Sequence, residues 1–228
     1  MDTIVLDDIR FELDLPRLIG RLHLEEASED AERVRMLAAE AQGLARPKAL
    51  YGVAYIEERG DDFVVVDGVR LTSRVLRVNL EETHRVFPYV ATCGRELEEW
   101  SSPIGDVLES FWASAIKEAA LRSAIAAMGE DLERRLQPGP TSDMNPGSLA
   151  DWPMSEQRQL FALAGDPQQA IGVELTDSYL MVPIKSVSGL RFPTETRFQS
   201  CQLCPREKCP GRRAPYDRAL WQTRYRGG

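Results

Sequence analysis

The sequence predicts an α+β fold, with strands in the first part of the chain and a long helix in its middle. Segments 51–57, 63–67, 75–80 and 86–92 are rich in the β-branched and aromatic residues that favour strands. Residues 104–136 instead repeat apolar side chains at helical spacing and contain many alanines, which favour a helix. We expect this long helix to end at Gln137, because Pro-Gly-Pro follows it.

Weaker signals of the same kind predict the remaining elements. The sequence predicts helices at 15–24, 28–44 and 155–164, a helical turn at 176–181, and strands at 2–13, 170–173 and 186–192. Ser28 is the expected N-cap of the second helix, because acidic residues follow it in the first turn.

Composition narrows the class of protein. A chain of 228 residues, 43% of them hydrophobic, suits one large domain or one domain with a small appendage. It has no apolar run of the length of a membrane span, and its start does not resemble a signal peptide, so we expect a cytoplasmic protein. The net charge of −8 argues against broad nucleic-acid binding.

Charge is distributed unevenly along the chain. Segment 205–228 has seven cationic and two anionic side chains, a net +5, which leaves −13 for the rest. The cationic residues are Arg206, Lys208, Arg212, Arg213, Arg218, Arg224 and Arg226. They form either a solvated tail, a docking surface for an acidic partner, or compensation for an anionic metal cluster.

Three of the four cysteines follow the spacing C-x2-C-x4-C, as Cys201, Cys204 and Cys209. A C-x2-C turn lets two thiolates converge on one metal, and a third nearby thiolate can join them. A [4Fe–4S] cluster and Zn²⁺ are the candidate metals, and Cys93 is the candidate fourth ligand. The alternatives are a reduced thiol cluster or a disulfide, and for Cys93 a buried apolar cysteine.

One stretch resembles a known family. The segment 171–189, Ile-Gly-Val-Glu-Leu-Thr-Asp-Ser-Tyr-Leu-Met-Val-Pro-Ile-Lys-Ser-Val-Ser-Gly, is similar to the most characteristic part of the cobalamin-dependent methionine synthase activation domain. Upstream, Asn145-Pro146-Gly147 resembles the family's R-x-x-P-G-Y segment, and Glu118 resembles a glutamate of its central helix. The resemblance covers roughly residues 1–198, and the cysteine segment 199–228 resembles the ends of iron–sulfur corrinoid activators.

The resemblance implies a C-shaped α+β domain with a curved antiparallel sheet that binds S-adenosylmethionine and presents its methyl group to a reduced corrinoid. The residues that it implies for the S-adenosylmethionine site are Glu118, Asn145, Pro146, Gly147, Ser186, Ser188 and Gly189. The sequence departs from the family pattern at Asp143, in the arginine position, and at Ser148, in the tyrosine position. Binding of S-adenosylmethionine and its loss are therefore both open.

Three functions are compatible with these features. The first is a component that reactivates a separate corrinoid methyltransferase, with an iron–sulfur centre and S-adenosylmethionine as its cofactors. The second is a non-catalytic module that docks on a corrinoid protein and holds structural zinc, and the third is a subunit of a split methionine synthase. Neither His23 nor His84 lies in the D-x-H-x-x-G motif of a corrinoid-binding module, so we expect cobalamin to be bound by a partner.

Overall fold

The computed structural model describes residues 3–209 and 211–226, and it confirms the mixed class of helices and strands. The helices are α1 (Leu15–Arg21), α2 (Glu29–Leu44), α3 (Arg74–Asn79), α4 (Arg95–Ser101), α5 (Val107–Leu136), α6 (Gln157–Ala164) and α7 (Pro167–Ile171). The strands are β1 (Thr3–Leu6), β2 (Lys48–Gly52), β3 (Ala54–Arg59), β4 (Phe63–Val66), β5 (Val69–Thr72), β6 (Arg85–Thr92), β7 (Thr141–Met144), β8 (Glu174–Leu175), β9 (Met181–Val182) and β10 (Ser186–Pro193). Single helical turns lie at Met154–Glu156, Ser200–Gln202 and Trp221–Tyr225.

An antiparallel sheet organises the domain around β6. One side of β6 pairs with β2 and β3, and the other side pairs with β10, which in turn pairs with β7. Strand β1 extends the sheet beyond β2, and β4 and β5 extend it beyond β3. Strands β8 and β9 form a separate small hairpin. The family's antiparallel sheet and long helix, expected from the resemblance, are therefore present.

Helices cover both faces of this sheet. Phe87, Tyr89 and Ala91 of β6 pack in one cluster with Ala124 and Met128 of α5. The alternate residues Leu50 and Val90 pack with Ala164, Ile171 and Val173 on the other face. Side chains alternate between the two faces of a strand, so β6 is buried on both. This explains its almost uninterrupted apolar sequence.

Several sequence predictions are confirmed at the level of local chemistry. The side chain of Ser28 accepts a hydrogen bond from the amide of Ala31, as the N-cap prediction requires. The long helix exists as α5, which begins after Asp106 because that side chain caps the amide of Glu109. Strand β10 lies at the predicted position within one residue.

Other predictions are wrong for identifiable reasons. Segment 75–80 forms helix α3 rather than a strand, because Ser73 caps the amide of Leu76 at 2.9 Å. Segment 170–173 is mostly the end of helix α7, whose first turn is capped by Asp166. The turn predicted to be helical at 176–181 connects β8 to β9 instead. Elements α4, β5 and β7 were not predicted.

The cysteine-rich segment packs against the domain that precedes it. Tyr225 is fully buried, and its hydroxyl donates a 2.9 Å hydrogen bond to Asn79 of α3. Its ring meets Phe198 edge-on at 5.9 Å. Leu203 and Leu220 pack on the same cluster. The boundary between 1–198 and 199–228 stays a prediction, but the second segment shares its core with the first.

No helix in the described ranges 3–209 and 211–226 is long and apolar enough to cross a membrane.

We expect Tyr225→Ala to lower the free energy of unfolding by about 3–5 kcal/mol, because it leaves a cavity in the core. Tyr225→Phe keeps the ring and should cost about 1 kcal/mol, the usual net value of one hydrogen bond. Urea denaturation measures both changes. Tyr216→Ala is the matched control, since that tyrosine is 47% exposed. Equal losses for Tyr225→Ala and Tyr216→Ala would contradict the packing of the C-terminal segment.

Candidate functional site

A buried polar network joins β6, β7 and β10 beside the residues that the resemblance implied. The side-chain amide of Asn145, directly after β7, donates to the hydroxyl of Tyr89 at 2.9 Å and to the carbonyl of Ser188 at 2.8 Å. Gly189 leaves room for these contacts, because a Cβ there would lie 2.4 Å from the Asn145 Nδ2 and 2.6 Å from the Tyr89 hydroxyl. The structure thus brings Asn145, Ser188 and Gly189 together with Tyr89, while their ligand role stays a prediction.

The network continues into helix α6. The Ser188 hydroxyl lies 3.2 Å from the Oε1 of Gln157, and the Nε2 of Gln157 donates to the carbonyl of Tyr179. Both Ser188 and Gln157 are buried. These hydrogen bonds therefore connect strand β10 of the sheet, through helix α6, to the loop before β9. Ser188 and Tyr179, at the two ends, both belong to the segment 171–189 that resembles the family.

The Pro146-Gly147 turn has a backbone that only glycine adopts readily. Gly147 has φ +82°, and its amide donates to the carbonyl of Trp152 at 2.7 Å. A Cβ on Gly147 would lie 2.4 Å from the sulfur of Met154. The Met154 side chain therefore fills the space beside this turn, and a residue other than glycine at 147 would have to displace it.

An ion pair lies beside the polar network. Asp143 of β7 and Arg191 of β10 are paired residues of the sheet, and two hydrogen bonds of 2.7 and 3.0 Å join their side chains. Burial disfavours the charged form of Arg191, but the bonds to Asp143 prevail and raise the pKa of this arginine. The guanidinium carbon lies 5.8 Å from the Tyr89 ring centre. The guanidinium of Arg191 therefore lies directly beside Asp143, the residue in the arginine position of the family pattern.

Sequence reasoning missed Arg191 because its partner lies 48 residues away. A sequence signal that could have identified Arg191 is an acidic residue on one strand opposite a basic residue on the strand paired with it. An acidic residue at a position where the family has an arginine invites a search for a basic residue directly across the sheet.

Burial keeps Tyr89 in its protonated form. Loss of hydration is the largest effect that raises the pKa of its hydroxyl, and the charge of Asp143 adds to it. The hydroxyl therefore accepts from Asn145 and keeps its own proton for donation.

Two predicted residues lie outside this network. Ser186, at the start of β10, donates to the carbonyl of Pro183 at 2.7 Å, and its hydroxyl lies 2.9 Å from the Thr92 hydroxyl. Glu118 forms ion pairs with Arg21 and Arg122. The helical rise places Glu118 about 16 Å along α5 from Gly129, beside which Arg191 lies. The ligand roles of Ser186 and Glu118 stay predictions.

The three clustered cysteines lie in a partly exposed loop after β10, here called the cysteine loop (201–209). A helical turn at Ser200–Gln202 precedes Cys204, whose amide donates to the Cys201 carbonyl at 3.3 Å. Burial raises the pKa of Cys201, but amide hydrogen bonds from Arg213 and Ala214 and the charges of Arg213 and Arg212 together lower it. This environment favours the thiolate that a metal requires.

Cys93 lies in a different environment from the cysteine loop. Its side chain is fully buried in the cluster formed by α2, α4 and α5, and its thiol hydrogen-bonds the Gly94 carbonyl. Burial raises the pKa of Cys93 to about 12, which opposes the thiolate form. Leu203 of the cysteine loop packs instead on the cluster that contains Tyr225.

Within the parts of the chain that the structure describes, no three His, Cys, Asp or Glu side chains are grouped closely enough to hold a metal. The residue types and the partial exposure of Cys201, Cys204 and Cys209 suit metal ligands, and the surroundings of Cys201 favour its thiolate. Cys93 does not suit this role where it lies, because it is buried and its pKa is raised. The prediction of Cys93 as fourth ligand would require a rearrangement that brings it to Cys201, Cys204 and Cys209.

The fold and one segment of the sequence are similar to known proteins. The chain has the fold of the MetH reactivation domain. Its structure is similar to the crystal structure of that domain bound to AdoHcy, with a TM-score of 0.62, covering 88% of this chain and 81% of that chain. The sequence identity is 13%, so the likeness shows the fold. No curated protein matches the sequence.

Residues 145–209 match the family model described as "Vitamin B12 dependent methionine synthase, activation domain". The match begins at Asn145, the centre of the polar network, and ends at Cys209, the last cysteine of the loop. Cys201, Cys204 and Cys209 lie within the matched segment, whereas the polar network extends beyond it to Tyr89 and Asp143.

We expect Asp143 and Arg191 to stabilise each other, because each is a largely buried charge with the other as its partner. Arg191→Gln or Asp143→Asn alone should lower the free energy of unfolding by about 2 kcal/mol, since each leaves the other charge unpaired. The double variant should lose less than the sum, and a double-mutant cycle in urea measures this coupling. The exposed pair Arg10–Glu12 is the control, with a coupling near zero. Additive losses at 143 and 191 would refute the pairing.

Proposed function

We propose that this protein reactivates a cobalamin-dependent methyltransferase, with S-adenosylmethionine bound beside Asn145 and a metal centre in the cysteine loop. The observation that carries the proposal is the family match over 145–209, which includes Asn145 and the three cysteines of the loop. The likeness of the fold to a reactivation domain supports the same function.

The polar network supports the first half of the proposal. AdoHcy, which is bound in the structurally similar domain, is what remains of S-adenosylmethionine after its methyl group leaves. In this chain the exposed turn at Gly147 would lie against the nucleoside, and Gly189 would shape the site by leaving room for Asn145 and Tyr89. Arg191 would meet the methionyl carboxylate, since its planar fork suits carboxylates. Asp143 already holds that fork, so the ligand must compete with it.

The cysteine loop supports the second half. We assign Cys201, Cys204 and Cys209 as metal ligands, with a [4Fe–4S] cluster as the favoured centre and Zn²⁺ as the alternative. Such a cluster would supply an electron at low potential. In the proposed reaction the partner's cobalamin would receive one electron and the methyl group of S-adenosylmethionine, which would leave as AdoHcy.

The residues of this chain would have defined tasks in that reaction. The protonated Tyr89 and the amide of Asn145 would fix the position of the ligand without exchanging protons with it. The corrinoid would be carried by a partner protein, as expected from the absence of its binding motif in the sequence.

One observation favours the alternative of a non-catalytic docking module with structural zinc. Asp143 and Arg191 satisfy each other fully, so this corner of the site needs no ligand for its stability. The identity of the bound metal and the binding of S-adenosylmethionine distinguish the reactivating component from the docking module.

We expect protein purified without oxygen to be brown and to contain iron and sulfide. Cys201→Ser or Cys204→Ser should remove most of this metal, as elemental analysis and visible absorbance would show. Cys93→Ser tests the fourth ligand, because unchanged metal content excludes it. A colourless protein that contains zinc would replace the redox role with the structural alternative.

We expect S-adenosylmethionine to give measurable heat in calorimetry with the full chain. Asp143→Asn should tighten binding about tenfold, or 1.4 kcal/mol, because it frees Arg191 for the ligand carboxylate. Asp61→Asn, at an exposed position, removes the same charge elsewhere and is the control. No heat at millimolar ligand from either the wild type or Asp143→Asn would eliminate the methyl-donor role.

A further inference from the structure

Arg212 forms hydrogen bonds to the backbone of all three cysteines of the loop. Its guanidinium donates to the carbonyl of Cys201 at 3.0 Å and to that of Cys204 at 3.1 Å. Its own amide donates to the carbonyl of Cys209 at 3.1 Å. The same guanidinium also reaches the carbonyls of Ala214 and Arg206. One half-buried residue thus connects every cysteine of the C-x2-C-x4-C motif.

These contacts need the particular shape of arginine. The guanidinium presents five donors in a rigid plane, so it can hold carbonyls on several sides at once. A lysine ammonium has the same charge but concentrates its donors at one point on a flexible chain. The carbonyls that Arg212 gathers come from positions 201, 204, 206 and 214, which spans the whole loop.

The residue that follows Arg212 acts on a sulfur directly. The amide of Arg213 points at the Sγ of Cys201 at 3.4 Å. Arg212, the residue before this amide, is held to Cys209 through its backbone and to Cys201 through its side chain. These bonds help to direct the Arg213 amide at the Cys201 sulfur.

We propose that Arg212 is a positioning residue for the metal site, which holds the backbone of the three cysteines together so that their side chains can turn toward one metal. The proposal rests on the proposed function for the presence of a metal, but its hydrogen bonds exist in the chain without one. Groups that orient metal ligands from behind typically contribute tenfold to a hundredfold to metal affinity.

The first test measures the loop without metal. Hydrogen exchange of peptide 201–214 in the chelator-treated full chain should become about tenfold faster in Arg212→Lys and Arg212→Gln, because the carbonyls lose their common donor. Arg218→Gln is the control, because Arg218 lies in the same surface depression as Arg212 and its replacement removes an equal charge. Unchanged melting temperatures would show that the effect is confined to the loop.

The second test measures metal binding by titration with Co²⁺, whose thiolate charge-transfer band reports the number of sulfurs bound. Arg212→Lys and Arg212→Gln should weaken Co²⁺ binding tenfold to a hundredfold and reduce the band, whereas Arg218→Gln should match the wild type.

The outcomes separate the two proposals. Wild-type exchange and wild-type Co²⁺ affinity in Arg212→Lys would overturn the positioning role. Faster exchange in the Arg212 variants, in a chain whose wild type binds neither Co²⁺ nor iron, would support the loop contacts and overturn the metal site on which the proposed function depends.

Discussion

The candidate ligand site depends on the close approach of the Asn145 amide to bare backbone at Gly189. A side chain of any size at 189 would collide with the Asn145 amide and the Tyr89 hydroxyl, which lie 2.9 Å apart. The pairing of β6 with β10 holds Tyr89 directly opposite Gly189. Because the two strands pair at this register, a polar network can exist in the middle of an apolar core with its members satisfied.

Buried polar contacts hold the long helix on the sheet beside the polar network. On the face toward α5, Tyr51 hydrogen-bonds the buried Asp131 at 2.7 Å, and Arg135 binds the same carboxylate. These contacts fix the long helix on the sheet. Toward the edge formed by β10 and β7, the polar groups instead surround a turn at Gly147 that is shaped by backbone alone. The helix face thus provides rigidity that the polar network can use.

The sequence predicted those elements whose signals are local. The long helix, the Ser28 cap and strand β10 follow from spacing and capping chemistry within a few residues. Segment 75–80 was assigned to a strand by its composition, but a serine two residues upstream caps a helix there. Composition alone does not separate short apolar helices from strands.

In the candidate sites too, local sequence signals identified some residues, whereas contacts between distant parts of the chain determine the role of others. The residues around Asn145 were found through a contiguous motif, whereas Arg191 was missed because its role depends on a partner across the sheet. Arg212 was counted among the tail charges, since a cation near cysteines in sequence does not reveal whether it faces water or carbonyls. Only the fold places its guanidinium inside the loop.

The anchoring of the C-terminal segment decides what the cysteine loop can do. Phe198 precedes the loop and Tyr225 follows it, and both are buried in the same cluster as the sheet residues Met144 and Leu190. A loop held at both ends has already lost much of the conformational entropy that three ligands in a free tail would lose on binding. Arg212 restricts it further by connecting the cysteines to one another. The loop that we propose as a metal site is therefore restricted before any ligand binds, which lowers the entropy that binding would cost.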